Sequence, residues 1–166
     1  MIFVTVGHQM PFDRMLCLVD RWSSQHDRHD VFAQTGESDF RPDSFQGEQW
    51  LTPDEYRQRL EECSGIISHA GTGTIIQGLV LEKPILVLPR LARYSETRND
   101  HQVGTARYFE SRGLIMAAYD DEGFSAALEQ FESFTPADRI TDRAAPELLE
   151  RLESFIEGPS KEVQPG

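Results

Sequence analysis

Three stretches of this 166-residue chain gather residue types able to do chemistry, and each follows an apolar run. Gly7-His8-Gln9 follows Ile2-Phe3-Val4-Thr5-Val6. Ser68-His69-Ala70-Gly71-Thr72-Gly73-Thr74 follows Gly65-Ile66-Ile67, and Arg90 and then Arg98-Asn99-Asp100-His101-Gln102 follow Ile85-Leu86-Val87-Leu88-Pro89. The middle stretch is the most informative. Glycines and small hydroxyls between an apolar strand and an apolar helix leave backbone N–H groups free at a helix N-terminus, whose partial positive charge favours an anion such as a phosphate. The same two glycines also suit a plain tight turn, and His69 suits a hydrogen-bonded structural histidine. Both readings stay open on these residues alone. No Lys follows the glycines, so this is not a Walker loop, and G-x-G-x-x-G is absent.

Arg90, at a strand end, is expected to clamp a diphosphate or carboxylate. Asn99-Asp100-His101-Gln102 offers four consecutive hydrogen-bonding side chains at a predicted helix start. Capping by Asn99 or Asp100 explains one of the four, and the set suits sugar hydroxyls. Other chemistries fit poorly. The five histidines lack the spacing of a metal site, so no metal and no cofactor is expected. There is no G-x-S-x-G elbow and no nucleophilic cysteine motif. Cys17 and Cys63 read as thiols of a reducing compartment.

Strand and helix signals alternate through the chain. Strands are predicted at 2–6, 31–35, 65–68, 84–88 and 114–117, with 37–50 a loop holding a short strand near Trp50. Helices are predicted from the spacing of Phe12, Met15, Leu16, Val19 and Trp22, over 52–63, around Ile75, Ile76, Leu79 and Val80, and over 100–111. Thr52-Pro53-Asp54-Glu55 has the form of a capping box, and the helix it starts should bury Tyr56 and Leu60. A final amphipathic helix is expected from Leu148, Leu149, Leu152, Phe155 and Ile156. This alternation implies an α/β fold, a single Rossmann-like domain with a parallel sheet, over residues 1–158, followed by a frayed tail at 159–166.

Composition narrows the partners. With 16 basic and 28 acidic residues the net charge is −12, which argues against nucleic acid and anionic lipid. Residues 118–166 carry 12 acidic and 4 basic side chains, read as a solvated face or as a docking surface for a basic partner. No apolar run reaches the ~20 residues of a membrane span, so no direct membrane insertion is expected. The start of the chain has no signal-peptide pattern, and a cytoplasmic location is expected.

Taken together, Val4 to Gly7 with Phe12-Asp13-Arg14, Ile67 to Ile76, Lys83 to Arg90, and Arg98 to Gln102 resemble the C-terminal domain of family 28 glycosyltransferases. The resemblance covers about residues 1–117. It implies the equivalent of the C-terminal, nucleotide-sugar-binding half of a GT-B enzyme. The chain is similar to the donor-binding subunits of split enzymes, namely the dolichol-linked UDP-GlcNAc transferase and bacterial exopolysaccharide glucuronosyltransferases. In these, a membrane-associated subunit holds a lipid-linked acceptor. The resemblance thus implies a UDP-sugar donor, transfer of glucuronate or GlcNAc in polysaccharide synthesis, recruitment to the inner face of the membrane, and a general base on the partner. It places Gly7, His8 and Gln9 near the donor diphosphate, and His69, Gly71, Thr72, Gly73 and Thr74 around it. Asn99 to Gln102 would face the sugar. Gln77 stands where the family often has a ribose-binding Glu, and His8 replaces a small hydroxyl residue. A non-catalytic nucleotide-sugar-binding or scaffold protein is the alternative; a GT-B-like epimerase would need two domains in one chain.

Overall fold

A computed structural model describes residues 1–137. Its six strands are β1 (Ile2–Thr5), β2 (Val31–Gln34), β3 (Gln46–Glu48), β4 (Gly65–Ser68), β5 (Ile85–Val87) and β6 (Met116–Ala117). Its helices are α1 (Asp13–Gln25), α2 (Pro53–Glu62), α3 (Thr72–Val80), α4 (His101–Glu110) and α5 (Asp121–Leu128), with two 3-10 turns at Ala92–Tyr94 and Phe131–Ser133. The strands are parallel throughout and stand in the order β3-β2-β1-β4-β5-β6. This is a doubly wound α/β sheet.

Alternation along β1 shows why both faces are covered. Ile2 and Val4 enter one core with Met15, Leu16 and Val19 of α1 and Phe124 and Leu128 of α5. Phe3 enters the opposite core with Leu60 of α2, Ile75 and Leu79 of α3, and Phe109 of α4. Successive strand side chains point to opposite faces, so a strand buried on both sides is a nearly continuous apolar run, and its buried Thr5 is hydrogen-bonded to Gln34. All four β1 residues are buried.

The capping box at the start of α2 forms as predicted. Thr52 Oγ1 accepts from the Glu55 N–H at 3.3 Å, and the Thr52 N–H donates to Glu55 Oε2 at 2.8 Å. Leu60 is buried, whereas Tyr56 is half-buried and packs edge-on against Phe3 at 5.4 Å. Several boundaries differ from expectation. Val6, Leu88 and residues 114–115 lie outside the paired strands; the short strand expected near Trp50 in the 37–50 loop is Gln46–Glu48. α3 begins at Thr72, so Thr72 to Thr74 form its first turn instead of a preceding loop. α5 occupies a stretch where no element was predicted; Asp120 Oδ1 caps it through the Gly123 N–H at 2.7 Å, and Phe124 and Leu128 anchor it. The helix predicted from Leu148 to Ile156 and the tail at 159–166 lie outside the described residues.

Candidate functional site: a crevice between the first and fourth strands

β1 and β4 are neighbours in register, with Thr5 opposite Ser68. The chain leaves β1 for α1 on one face and β4 for α3 on the other, so the two connections diverge and leave a crevice at the carboxyl ends of the strands. Gly7, at φ +78°, turns the first connection, in the left-handed region that glycine tolerates. The His69 ring fills the space between two glycine backbones. A β-carbon at Gly7 would stand 2.6 Å from His69 Cε1, and one at Gly71 would stand 2.3 Å from Nε2. Burial holds the His69 pKa down, from 6.5 to about 4, with the nearby Arg90 charge acting the same way and the Thr5 backbone weakly opposing it. The imidazole is therefore neutral at pH 7. Its Nδ1 is buried with no well-formed hydrogen bond among the described residues.

Above this ring, α3 presents its N-terminus. Gly71 takes the N-cap position and supplies no side-chain cap. The first N–H groups of a helix have no partner within it, so those of Thr72, Gly73 and Thr74 face the crevice. A β-carbon at Gly73 would meet nothing within 4 Å, so the backbone there is open to a ligand.

The cavity over these groups measures about 380 Å³ and brings together Gly7, His8, Gln9 and His69 with Gly71 to Thr74, His101 and Gln102. A second cavity of about 800 Å³ opens between α2 and α3 and shares His8, Tyr56, Gly73 and Thr74 with the first. Gln77 lines this second space, next to Thr74. A small pocket of about 90 Å³ continues past His8, Gln9, His101 and Gln102 towards Arg90.

Arg90, expected to clamp a ligand, has its guanidinium engaged within the fold. The residue is 4% exposed, and its guanidinium donates to four backbone carbonyls. Nη1 reaches Pro11 at 2.6 Å and Glu96 at 3.1 Å; Nη2 reaches Val6 at 2.7 Å and Met10 at 2.6 Å. Four of its five N–H donors are thus spent on holding the β1–α1 connection against the loop after β5. Burial lowers its pKa to about 10, so it stays cationic at neutral pH beneath the crevice.

The four-residue stretch after Arg98 also divides. His101 and Gln102 line the crevice, whereas Asp100 turns away and accepts from the Ala92 N–H at 2.8 Å. Asn99 orients its neighbour, accepting from the His101 backbone N–H at 3.2 Å and contacting the ring Nδ1 at 2.5 Å. Neither Asn99 nor Asp100 caps α4 in the usual way.

Sequence reasoning missed Tyr56 and Trp50. The Tyr56 hydroxyl lies 3.2 Å from Thr74 Oγ1, across the mouth between the cavities. Trp50, 42% exposed, stacks on His8 with ring centroids 5.4 Å apart and planes at 26°. An exposed tryptophan at the end of a polar loop was the available signal for Trp50. Nothing local marked Tyr56, because its partner is eighteen residues away. Among the described residues no cluster of His, Cys, Asp and Glu could hold a metal ion, and no helix is long and apolar enough to cross a membrane.

The fold recurs in solved glycosyltransferases. The solution structure of ALG13 matches with a TM-score of 0.58 at 19% identity, covering 91% of this chain and 93% of that one. The glycosyltransferase of kitacinnamycin matches with a TM-score of 0.59 at 19% identity, covering 92% of this chain and 37% of that one. Acinetobacter baumannii MurG matches with a TM-score of 0.54 at 13% identity, covering 81% of this chain and 42% of that one. This chain therefore spans less than half the length of the latter two. No curated protein matches in sequence. The profile of the glycosyltransferase family 28 C-terminal domain matches residues 1–132. The matched span takes in every strand among the described residues, the uncapped turn of α3 and the first turn of α4, and the chain belongs to the glycosyltransferase family 28 C-terminal domain family.

Proposed function

We propose that this chain is the UDP-sugar-binding subunit of a two-component inverting glycosyltransferase, which transfers glucuronate or GlcNAc to a lipid-linked acceptor in polysaccharide synthesis. The observation that carries the reading is the uncapped N-terminus of α3 set beside Gly7 and His69, opening onto two joined cavities. The smaller cavity suits a diphosphate on the Thr72 to Thr74 N–H groups and hydroxyls. The larger one suits the nucleoside, with Gln77 near the ribose.

Energetics support backbone donors as the main grip. A Kd between 1 mM and 1 μM corresponds to about −4 to −8 kcal/mol. A helix terminus supplies about 0.3–1 kcal/mol at an exposed site. A chain of net charge −12 repels a dianion at long range, so the remainder must come from short, oriented N–H bonds. The same bonds would strengthen as negative charge develops on the departing diphosphate, which makes them a preorganised electrophilic site. The acceptor hydroxyl attacks the anomeric carbon from the opposite side and inverts it.

His8 and His101 are exposed at the rim, which leaves the reacting carbon open to water. An open rim supports a second component that covers the crevice, excludes water and brings the acceptor and the general base. A membrane-associated partner would hold this subunit at the cytoplasmic face of the membrane.

Thermal unfolding with UDP in EDTA tests the donor site. UDP at 100 times its Kd should stabilise the protein by about 2.7 kcal/mol without divalent metal. Stabilisation appearing only with Mg²⁺ would overturn the helix-terminus reading. Sugar transfer to membranes should require the partner, and robust transfer by this chain alone would overturn the two-component reading.

A further inference from the structure

A hydroxyl within a helix commonly donates to the carbonyl one turn back. Thr105 of α4 does so to His101 at 3.4 Å, and Ser125 of α5 to Asp121 at 2.9 Å. Thr74, in the first turn of α3, departs from this pattern. Its hydroxyl partner among the described residues is the Tyr56 hydroxyl, 3.2 Å away on α2. The Tyr56 ring is fixed in turn by Phe3 of β1, edge-on, with centroids 5.4 Å apart and planes at 73°. Burial pushes the Tyr56 phenol above its usual pKa of 10, against weaker hydrogen bonds to Thr74 and Thr5, so it is a protonated donor at neutral pH. Thr5 has its own partners, since its Oγ1 accepts from the Gly7 N–H at 3.4 Å and donates to Gln34 Oε1 at 3.1 Å. Tyr56 and Thr74 line both cavities and form the neck between them.

We infer that Tyr56 is a positioning residue for the donor site, whose O–H donates to Thr74 Oγ1 and turns the Thr74 hydrogen into the smaller cavity. This rests on the donor-site reading above. An anionic oxygen is a stronger acceptor than a phenol. A bound diphosphate therefore takes the Thr74 hydrogen, and the Thr74 oxygen takes that of Tyr56. Each bond polarises the other. Tyr56 thus acts through Thr74 and needs no contact of its own with the diphosphate. Without the phenol hydroxyl, Thr74 is free to turn to the carbonyl of Ala70, four residues back, as Thr105 and Ser125 turn to theirs. Its hydrogen is then lost to the ligand.

Titrations of the full chain with UDP by calorimetry and with uridine by ligand-observed NMR test the scheme. Tyr56→Phe keeps the ring against Phe3 and removes the hydroxyl. It should weaken UDP about fivefold and leave uridine unchanged. Thr74→Val should weaken UDP about tenfold, and adding Tyr56→Phe to it should cost nothing further. Thr74→Ser keeps the hydroxyl, so in that background Tyr56→Phe should again cost about fivefold. A Tyr56 hydroxyl that only shapes the nucleoside cavity would weaken uridine and UDP equally, and its loss would add in full to Thr74→Val. Either result overturns the positioning role, as does UDP bound by Tyr56→Phe as tightly as by the parent. Absence of UDP binding to the unaltered protein overturns the donor site beneath it.

Discussion

The Gly7 backbone lies against the His69 ring so closely that a β-carbon at residue 7 would stand 2.6 Å from His69 Cε1. Residues 62 positions apart thus share one steric constraint, because β1 and β4 pair in register and end together. The constraint separates Gly7 and Gly71, where a β-carbon would clash, from Gly73, where it would meet no protein atom.

Gly7→Ala combines a clash with a backbone at φ +78°, and Gly71→Ala puts a β-carbon 2.3 Å from His69 Nε2. Each should cost about 1–3 kcal/mol of stability. Gly73→Ala meets no protein atom, so its Tm should stay near that of the parent while UDP binds more weakly. Thermal melts paired with UDP titrations check this. A Gly73→Ala protein with unchanged UDP affinity would place the phosphate away from α3.

Protonation of His69 should destabilise the protein in acid. The unfolded histidine takes up a proton near 6.5 and the folded one near 4, so the unfolded state binds more protons between those values. Stability from this residue is complete above about pH 6.5 and is lost as the pH falls towards 4, by about 2–3 kcal/mol. Denaturant unfolding at pH 7 and pH 4.5 should show a smaller difference for His69→Asn than for the parent. Equal differences would mean that the imidazole protonates freely in the fold.

Arg90 should behave as a structural residue under mutation. Arg90→Met strands four carbonyls and should cost about 3 kcal/mol or more, since each unsatisfied buried polar group costs about 1–3 kcal/mol. Arg90→Lys keeps the charge but not the planar fork and should lose most of the same stability. Urea denaturation measures both. A Lys variant of parental stability with impaired UDP binding would instead return Arg90 to the ligand.

The α2 cap gives a control whose two residues, Thr52 and Glu55, line neither cavity. Thr52→Ala removes the bonds to the Glu55 N–H and carboxylate and should cost about 1 kcal/mol. Its UDP affinity, measured well below the melting transition, should match that of the parent. A tenfold change would tie the entry of α2 to the nucleoside cavity.

The sequence alone determined the features whose causes are local. Short, predominantly apolar and β-branched runs marked β1, β2, β4 and β5, and Thr52-Pro53-Asp54-Glu55 started α2 where the capping box forms. Glycines before small hydroxyls located the open end of α3. α5 escaped because only Phe124 and Leu128 anchor eight residues, too few to show a period against their polar neighbours. Tertiary structure decided the rest. Placing β4 beside β1 brings the Gly7 backbone against the His69 imidazole, and no pattern within either segment records that adjacency. The fate of Arg90 is equally non-local. Its type and strand-end position suit a phosphate, but the carbonyls of Val6, Met10 and Pro11 arrive from about eighty residues away and take its donors first. A guanidinium binds whatever acceptors the fold delivers to its plane, and which acceptors arrive is a property of chain crossings, not of residue order.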